Sequence, residues 1–411
     1  MKINKHCFPN GLRLVHYEDT STQMVALNIV YDVGARDEHP EHTGFAHLFE
    51  HLMFGGSAHI PDYDTPLQLA GGENNAWTNN DITNYYLTVP KPNVETAFWL
   101  ESDRMLELAF SEQSLEVQRG VVMEEFKQRC LNQPYGDVGH LFRPLAFRVH
   151  PYRWPTIGKE LSHIEQATLD EVKSFFYRFY APNNAVLAVT GNISWDETVK
   201  LTEKWFAPIP RRDVPVRQLP QEPEQTQERR LTVERNVPLD ALFMGYHMCS
   251  REGADYYAFD ILSDILSNGR SSRLNRRLVQ EQNIFSGIDA YISGTRDAGL
   301  LQISGKPAAG VSLEQAEVAV RKELEELQRS PVDGQELEKV KNKFESTQIF
   351  GNINYLNVAT NLAWFELTGK AEDIDLEVER YRSVTTEQLH TVAQRTFCES
   401  NAVVLYYKSD K

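Results

Sequence analysis

The feature that most limits how this chain can fold is that it matches itself. Shifted by 217 residues without gaps, Thr168, Arg178, Asn184, Ala185 and Val186 fall on Thr385, Arg395, Asn401, Ala402 and Val403. The same shift puts Arg13-Leu14 on Arg230-Leu231, and apolar Val25 and Phe45 on Leu242 and Leu262. One ungapped offset that aligns both ends of each half implies two units of similar fold. Between them, the stretch from Pro208 to Arg230 holds Pro208, Pro210, Pro215, Pro220 and Pro223 among charged and Gln residues. Such a run buries too little to offset its ordering entropy and reads as an extended linker. The expected division is an N-terminal domain over 1–210, a linker over 211–229 and a C-terminal domain over 230–411.

Local patterns fill in the class. Residues 12–17 and Met24 to Tyr31 read as strands, and Ala185 to Gly191 as a buried one. Phe45, Leu48, Phe49 and Leu52 recur at helical spacing from Thr43 to Met53, stopped by Gly55-Gly56-Ser57. Ala76 to Thr78 and Tyr85 to Val89 read as a hairpin around Asn79-Asn80-Asp81. Longer helices are expected over about Val94–Leu108, Ser111–Leu131 and Leu169–Tyr180. The class is therefore α+β, two similar domains, each a mixed or antiparallel sheet packed with helices. A length of 411 residues and a hydrophobic fraction of 41% suffice for two such cores.

Charge and cysteine exclude partners more than they name them. Lys+Arg is 42 against Asp+Glu 58, a net charge of -16, which repels phosphate backbones and disfavours nucleic acid. Cys7, Cys130, Cys249 and Cys398 are too scattered for a disulfide framework or a zinc knuckle. No apolar run reaches the ~18 residues of a membrane helix. No apolar signal core precedes Pro9-Asn10-Gly11, so a cytoplasmic location is expected, or a periplasmic one if a leader was removed.

The chemistry concentrates in His47-Leu48-Phe49-Glu50-His51. On a helix, residues four apart project from one face, so both imidazoles can reach one ion. Glu50 flanks that face and could take a proton from water. This is the H-x-x-E-H order. A third ligand is available at Glu124-Glu125, after the apolar run Val121-Val122-Met123. Residue arithmetic alone leaves open whether either carboxylate turns inward or both are solvated. Asp62 and Asp64 near His59 have no ligand spacing and read as a polar loop, as does His150 to Pro155.

The segments Gly44 to Ser57, Gly71 to Thr78 and Gln118 to Glu125 resemble the pitrilysin family of inverted-motif zinc peptidases, which includes insulysin and the mitochondrial processing peptidase. The resemblance covers the whole chain, as in the short bacterial members. It implies a clamshell of two similar domains and one Zn2+ per chain, held by His47, His51 and Glu125. The family's third ligand follows the second histidine by some 74 to 76 residues, and Glu125 lies 74 after His51. Glu124 would support the ligands from behind. Zinc in such a set lowers the pKa of water to ~7, and Glu50 would act as general base. Asn75, Ala76, Trp77 and Thr78 resemble the family's edge strand, which pairs with an extended peptide substrate.

The second half keeps the helix and loses the metal groups. The offset carries His47 onto Asp264, Glu50 onto Ser267, His51 onto Asn268 and Glu125 onto Asn342. Where the family carries an Arg and, seven residues later, a Tyr near the metal, this chain has Val279 and Ser286. Gln118 stands where active members often have a glutamate. The expectation is a zinc endopeptidase that dimerises with a metal-free sister chain carrying the Arg/Tyr pair, with a homodimer as second choice. The alternatives are a non-catalytic zinc- or peptide-binding scaffold subunit of the same family, and a metal hydrolase acting on non-peptide substrates.

Overall fold

The computed structural model describes residues Met1–Asp410. The first half of the sequence forms strands β1 (Asn4–Cys7), β2 (Arg13–Glu18), β3 (Met24–Tyr31), β4 (Glu73–Thr78), β5 (Thr83–Pro90) and β6 (Ala185–Gly191). Its helices are α1 (Phe45–Leu52), α2 (Asp64–Leu69), α3 (Val94–Leu106), α4 (Glu112–Phe126), α5 (Val138–Ala146), α6 (Leu161–Glu165), α7 (Leu169–Phe179) and α8 (Trp195–Trp205). The second half forms β7 (Arg229–Arg235), β8 (Ala241–His247), β9 (Phe285–Ile292), β10 (Leu300–Pro307) and β11 (Ala402–Ser409). Its helices are α9 (Tyr256–Ser267), α10 (Leu313–Arg329), α11 (Gly334–Gly351), α12 (Tyr355–Thr368), α13 (Glu377–Ser383) and α14 (Thr386–Thr396).

The strands make two sheets, ordered β1-β2-β6-β3-β5-β4 and β7-β11-β8-β10-β9. β2 runs parallel to β6 and β7 parallel to β11, and the other neighbours pair antiparallel. The internal repeat is visible in this order. The offset carries β5 onto β10 and α7 onto α14 residue for residue, and β2, β3 and β6 onto β7, β8 and β11. The two halves share one fold, as the ungapped match implies.

Each sheet is buried on both faces. Alternate residues of a strand point to opposite sides. In β3 and β6, Leu27, Ile29, Leu187 and Val189 join Leu48, Phe49, Phe98 and Phe176 in one core. Ala26, Val30, Val186 and Ala188 face the other way and pack on Val358, Ala359, Leu362 and Ala363 of α12. Small Ala26 and Ala188 let that helix lie close. In the second sheet, Val403, Leu405 and Ala241 pack on Phe142 and Ala146 of α5.

The covering helices are exchanged along the sequence. Helix α12 comes from the second half and covers the first sheet, while α5 comes from the first half and covers the second. One compact unit is Met1–Leu131, Trp154–Leu219 and Ile349–Leu376, and the other is Asn132–Arg153, Pro220–Gln348 and the chain from Glu377 onward. A single cut at 211–229 follows the repeat but not this packing. Hydropathy tells that a helix has an apolar face, not which sheet receives it.

The proline-rich segment adopts no helix or strand from 210 to 228. It is nevertheless held, by polar contacts rather than apolar burial. The Arg212 guanidinium donates to the carbonyls of Tyr180 and Leu106, each at 2.7 Å. Arg217 pairs with Asp32 at 2.9 Å and with Asp37. In the other unit, Glu222 accepts the N–H groups of Arg148, Val149 and His150 at 2.8, 2.9 and 3.1 Å.

A fragment of residues 1–219 lacks α12 and would present Ala26, Val30, Val186 and Ala188 to water. It is expected to bind a hydrophobic dye and to unfold without a sharp transition. A cooperative melt with no dye binding would show that the covering helix is dispensable.

Candidate metal centre

Helix α1 is short, and its start is fixed by two features. Gly44 sits at φ +88°, and a Cβ there would come within 2.6 Å of Ile164 Cδ1 and 2.8 Å of the Ile157 carbonyl, so only glycine fits. The buried Glu38 carboxylate accepts the N–H of Gly44 at 2.9 Å and of Ala46 at 2.8 Å, meeting donors that a helix start leaves unpaired. Burial pushes the Glu38 carboxyl up to about 8, and those two N–H groups oppose the rise. Phe45, Leu48, Phe49 and Leu52 bury one side of α1. His47, Glu50 and His51 emerge from the other.

Helix α4 approaches the far end of α1. Gly55 makes room, since a Cβ there would lie 2.5 Å from Ser114 Oγ. The Ser114 hydroxyl donates to the Gly55 carbonyl at 3.2 Å. Leu115, Val122 and Phe126 of α4 are buried, which turns Glu125 toward the histidines. Glu125 Oε2 lies 3.3 Å from His51 Nε2 and 3.6 Å from His47 Nε2. The two imidazole rings stand 4.9 Å apart at 82°.

This donor set fits a divalent ion. Ligand atoms about 2.0–2.1 Å from a tetrahedral zinc are separated by about 3.3–3.4 Å, close to the two distances found. Among the described residues, His47, His51 and Glu125 are the one group of three or more His, Cys, Asp or Glu with such spacing. His47 Nδ1 is buried without a hydrogen-bond partner, so the ring's one partner-facing nitrogen is Nε2. Burial lowers the His47 imidazole to about 4, which keeps it neutral near pH 7, the form that binds metals. Glu125 is held below the usual carboxylate range, first by its bond to His51 and also by His47 and Arg129. Burial raises the Glu50 carboxyl, with Thr78 and His51 acting against it.

The segment Asn75 to Thr78 lies in β4, the strand at one end of its sheet, paired on one side with β5. Asn75 and Trp77 are exposed while Ala76 and Thr78 are half-buried, the alternation of a strand with one wet face. The edge is partly occupied by its own side chain, because the Ala76 N–H donates to Asn75 Oδ1 at 2.8 Å.

Other expected residues lie elsewhere. Glu124 does not support the ligands. It is exposed and accepts from Lys127 Nζ at 2.5 Å, since neighbours on a helix point about 100° apart. Gln118 is half-buried on α4, two turns before Glu125. His59 turns to Asp103 at 2.6 Å, away from Asp62, which accepts the N–H of Asp64 and Thr65 ahead of α2. In the other unit, Val279 packs against the apolar core, and the Ser286 hydroxyl donates to the Lys306 carbonyl at 3.1 Å. Two residues of the site carry no sequence signal of their own. Glu38 precedes the motif by nine residues. Arg129, whose Nη2 lies 3.0 Å from Glu125 Oε1, sits in a π-helical turn that hydropathy does not distinguish from α-helix.

Comparison with known proteins identifies the family. A family model described as "Insulinase (Peptidase family M16)" matches residues 13–137, and one described as "Peptidase M16 inactive domain" matches residues 166–344. The chain is 27% identical over 407 residues to zinc protease PqqE of Helicobacter pylori, covering 97% of this chain and 91% of that protein. It is 25% identical over 406 residues to the uncharacterized zinc protease YmxG of Bacillus subtilis, covering 98% of each. The crystal structure of a protease from Helicobacter pylori superposes with a TM-score of 0.94 at 26% identity, over 99% of both chains. The matched regions span most of the chain, which belongs to the insulinase family of peptidases, family M16.

Proposed function

We propose that this chain is a zinc-dependent endopeptidase acting on extended or unfolded peptides, and the metal-bearing subunit of a two-chain enzyme. The observation that carries the reading is the convergence of His47 Nε2, His51 Nε2 and Glu125 Oε2, with Glu50 on the same helix. Zinc bound by three protein ligands with an open position acidifies water and polarises a peptide carbonyl.

The chain's own residues do the rest. Glu50, one residue before His51, takes a proton on its carboxylate from the attacking water. It then delivers that proton to the leaving amine nitrogen. Its burial suits both transfers, because a raised carboxyl pKa narrows the gap to neutral pH. The outer edge of β4 offers main-chain N–H and C=O groups to an extended peptide, which gives affinity with little demand on sequence. To receive it, Asn75 Oδ1 must release the Ala76 N–H.

A partner chain follows from what the second half lacks. Val279 is committed to the core and Ser286 to a backbone carbonyl, so neither can hold a substrate carbonyl as Arg or Tyr would. A metal-free sister chain carrying the Arg/Tyr pair would complete the site.

The Glu50→Gln variant should bind zinc like the parent and lose about 10²–10⁴-fold or more in kcat on an unstructured peptide. Wild-type turnover in that variant would remove Glu50 from the mechanism. His47→Ala should lose stoichiometric zinc, measured by metal analysis after dialysis. Chelation should abolish cleavage in the parent, with zinc restoring it. For the assembly, the purified chain alone is expected to cleave slowly and to gain activity with a metal-free sister chain. Full activity alone would sink the partner. Stoichiometric zinc with no cleavage, alone or paired, would favour the scaffold reading.

A further inference from the structure

The metal ligand Glu125 has two oxygens, and the structure treats them differently. Oε2 faces both histidines, at 3.3 and 3.6 Å. Oε1 faces Arg129 Nη2, at 3.0 Å. We propose that Arg129 is a positioning residue of the metal centre: its guanidinium holds Oε1 of Glu125 so that Oε2 alone is presented to the ion. The inference rests on the metal-centre reading above.

The backbone is built to deliver this contact. Helix α4 ends at Phe126 and runs on as a π-helical turn over Lys127–Leu131. Buried Phe126 and Cys130 anchor that turn at both ends. Arg129 follows Glu125 by four residues, the spacing at which helical side chains face one another. The neighbouring cation is kept away, since Lys127 Nζ goes to Glu124 at 2.5 Å. Each of the adjacent carboxylates thus has its own basic residue, and only one pair touches the metal ligands.

The pair is expected to contribute little to folding. The Arg129 side chain is 69% exposed, and ion pairs that wet add little stability. What the pair changes is orientation. A carboxylate without a partner on Oε1 can rotate or offer both oxygens. A cation on one oxygen selects single-oxygen binding and leaves the remaining position open for water and substrate. Residues that orient a metal ligand in this way typically affect affinity 10–100-fold.

The test uses the full-length chain and zinc alone. Zinc affinity is measured by chelator competition for the parent and for R129A, R129K and K127A, with thermal unfolding of each metal-free protein. R129A should bind zinc about 10–100-fold more weakly with an unchanged melt. R129K keeps the charge, should recover part of the loss, and serves as the readout if R129A does not fold. K127A removes the same charge two residues away and should change affinity less than about 2-fold, because it orients only Glu124. X-ray absorption at the zinc edge should show added carboxylate oxygen coordination in R129A relative to the parent. Parent-like affinity in R129A, or equal losses in R129A and K127A, would overturn the positioning role. A parent that binds no zinc would instead overturn the metal-centre reading itself.

Discussion

An eight-residue helix has no stability of its own in water, so the placement of His47, Glu50 and His51 depends on what holds α1 in place. Two restraints act at once. The apolar side is clamped by Phe49, which packs on Phe175 and Tyr180 with ring centroids 5.1 Å away in each case. The start is clamped by Glu38, whose carboxylate grips two main-chain N–H groups from inside the protein. Apolar packing fixes the rotation of the helix about its axis, and the carboxylate fixes its position along that axis. Together they decide where His47 and His51 point. Placing Glu125 within reach then needs only that α4 cross the end of α1, which Gly55 permits.

The second half shows what the same frame does without the chemistry. Helix α9 keeps the buried side, with Ile261, Leu262, Ile265 and Leu266 inward. At the positions matching His47 and His51, Asp264 and Asn268 bond each other, Asn268 Nδ2 donating to Asp264 Oδ1 at 2.7 Å. Asn342, matching Glu125, accepts instead from Arg382 at 2.7 Å. The polar residues that replaced the metal set satisfy one another or a nearby arginine. The two halves thus share a scaffold and not a donor set, since a fold does not by itself carry the chemistry placed on it.

What could be read from the sequence follows from how local each cause is. Strands β3 and β6 start and stop where the apolar runs do, because both faces are buried and the runs are uninterrupted. The single-face placement of His47 and His51 needs only helical periodicity. Glu125 is different. The chain travels through α2, the β4–β5 hairpin and α3 before α4 returns, and no local rule says where that path ends, so family resemblance singled it out from Glu124. The exchange of α5 and α12 was hidden for the same reason, since an apolar face does not name its partner. The hold on the proline-rich segment was hidden too. Its composition is that of a linker, and its anchors are single polar side chains such as Arg217 and Glu222, reaching residues far away in sequence.

One helical turn and one crossing helix bring three titratable groups together, and each is set differently by its surroundings. His47 is the most enclosed, and burial removes its positive charge, leaving a neutral nitrogen ready to bind metal. Glu50 feels the same burial with the opposite consequence, because for a carboxyl the disfavoured form is the anion, and its affinity for a proton rises. Glu125 escapes that fate chiefly through its bond to His51, with the Arg129 charge adding to it, despite partial burial. Two carboxyls of one cluster are thus set in opposite directions, Glu50 by burial and Glu125 by its bond to His51. That separation is the arrangement acid–base chemistry at neutral pH requires. Arg129 acts on both carboxyls in the same sense, yet at Glu50 burial outweighs it, whereas at Glu125, which it touches, it adds to the bond from His51.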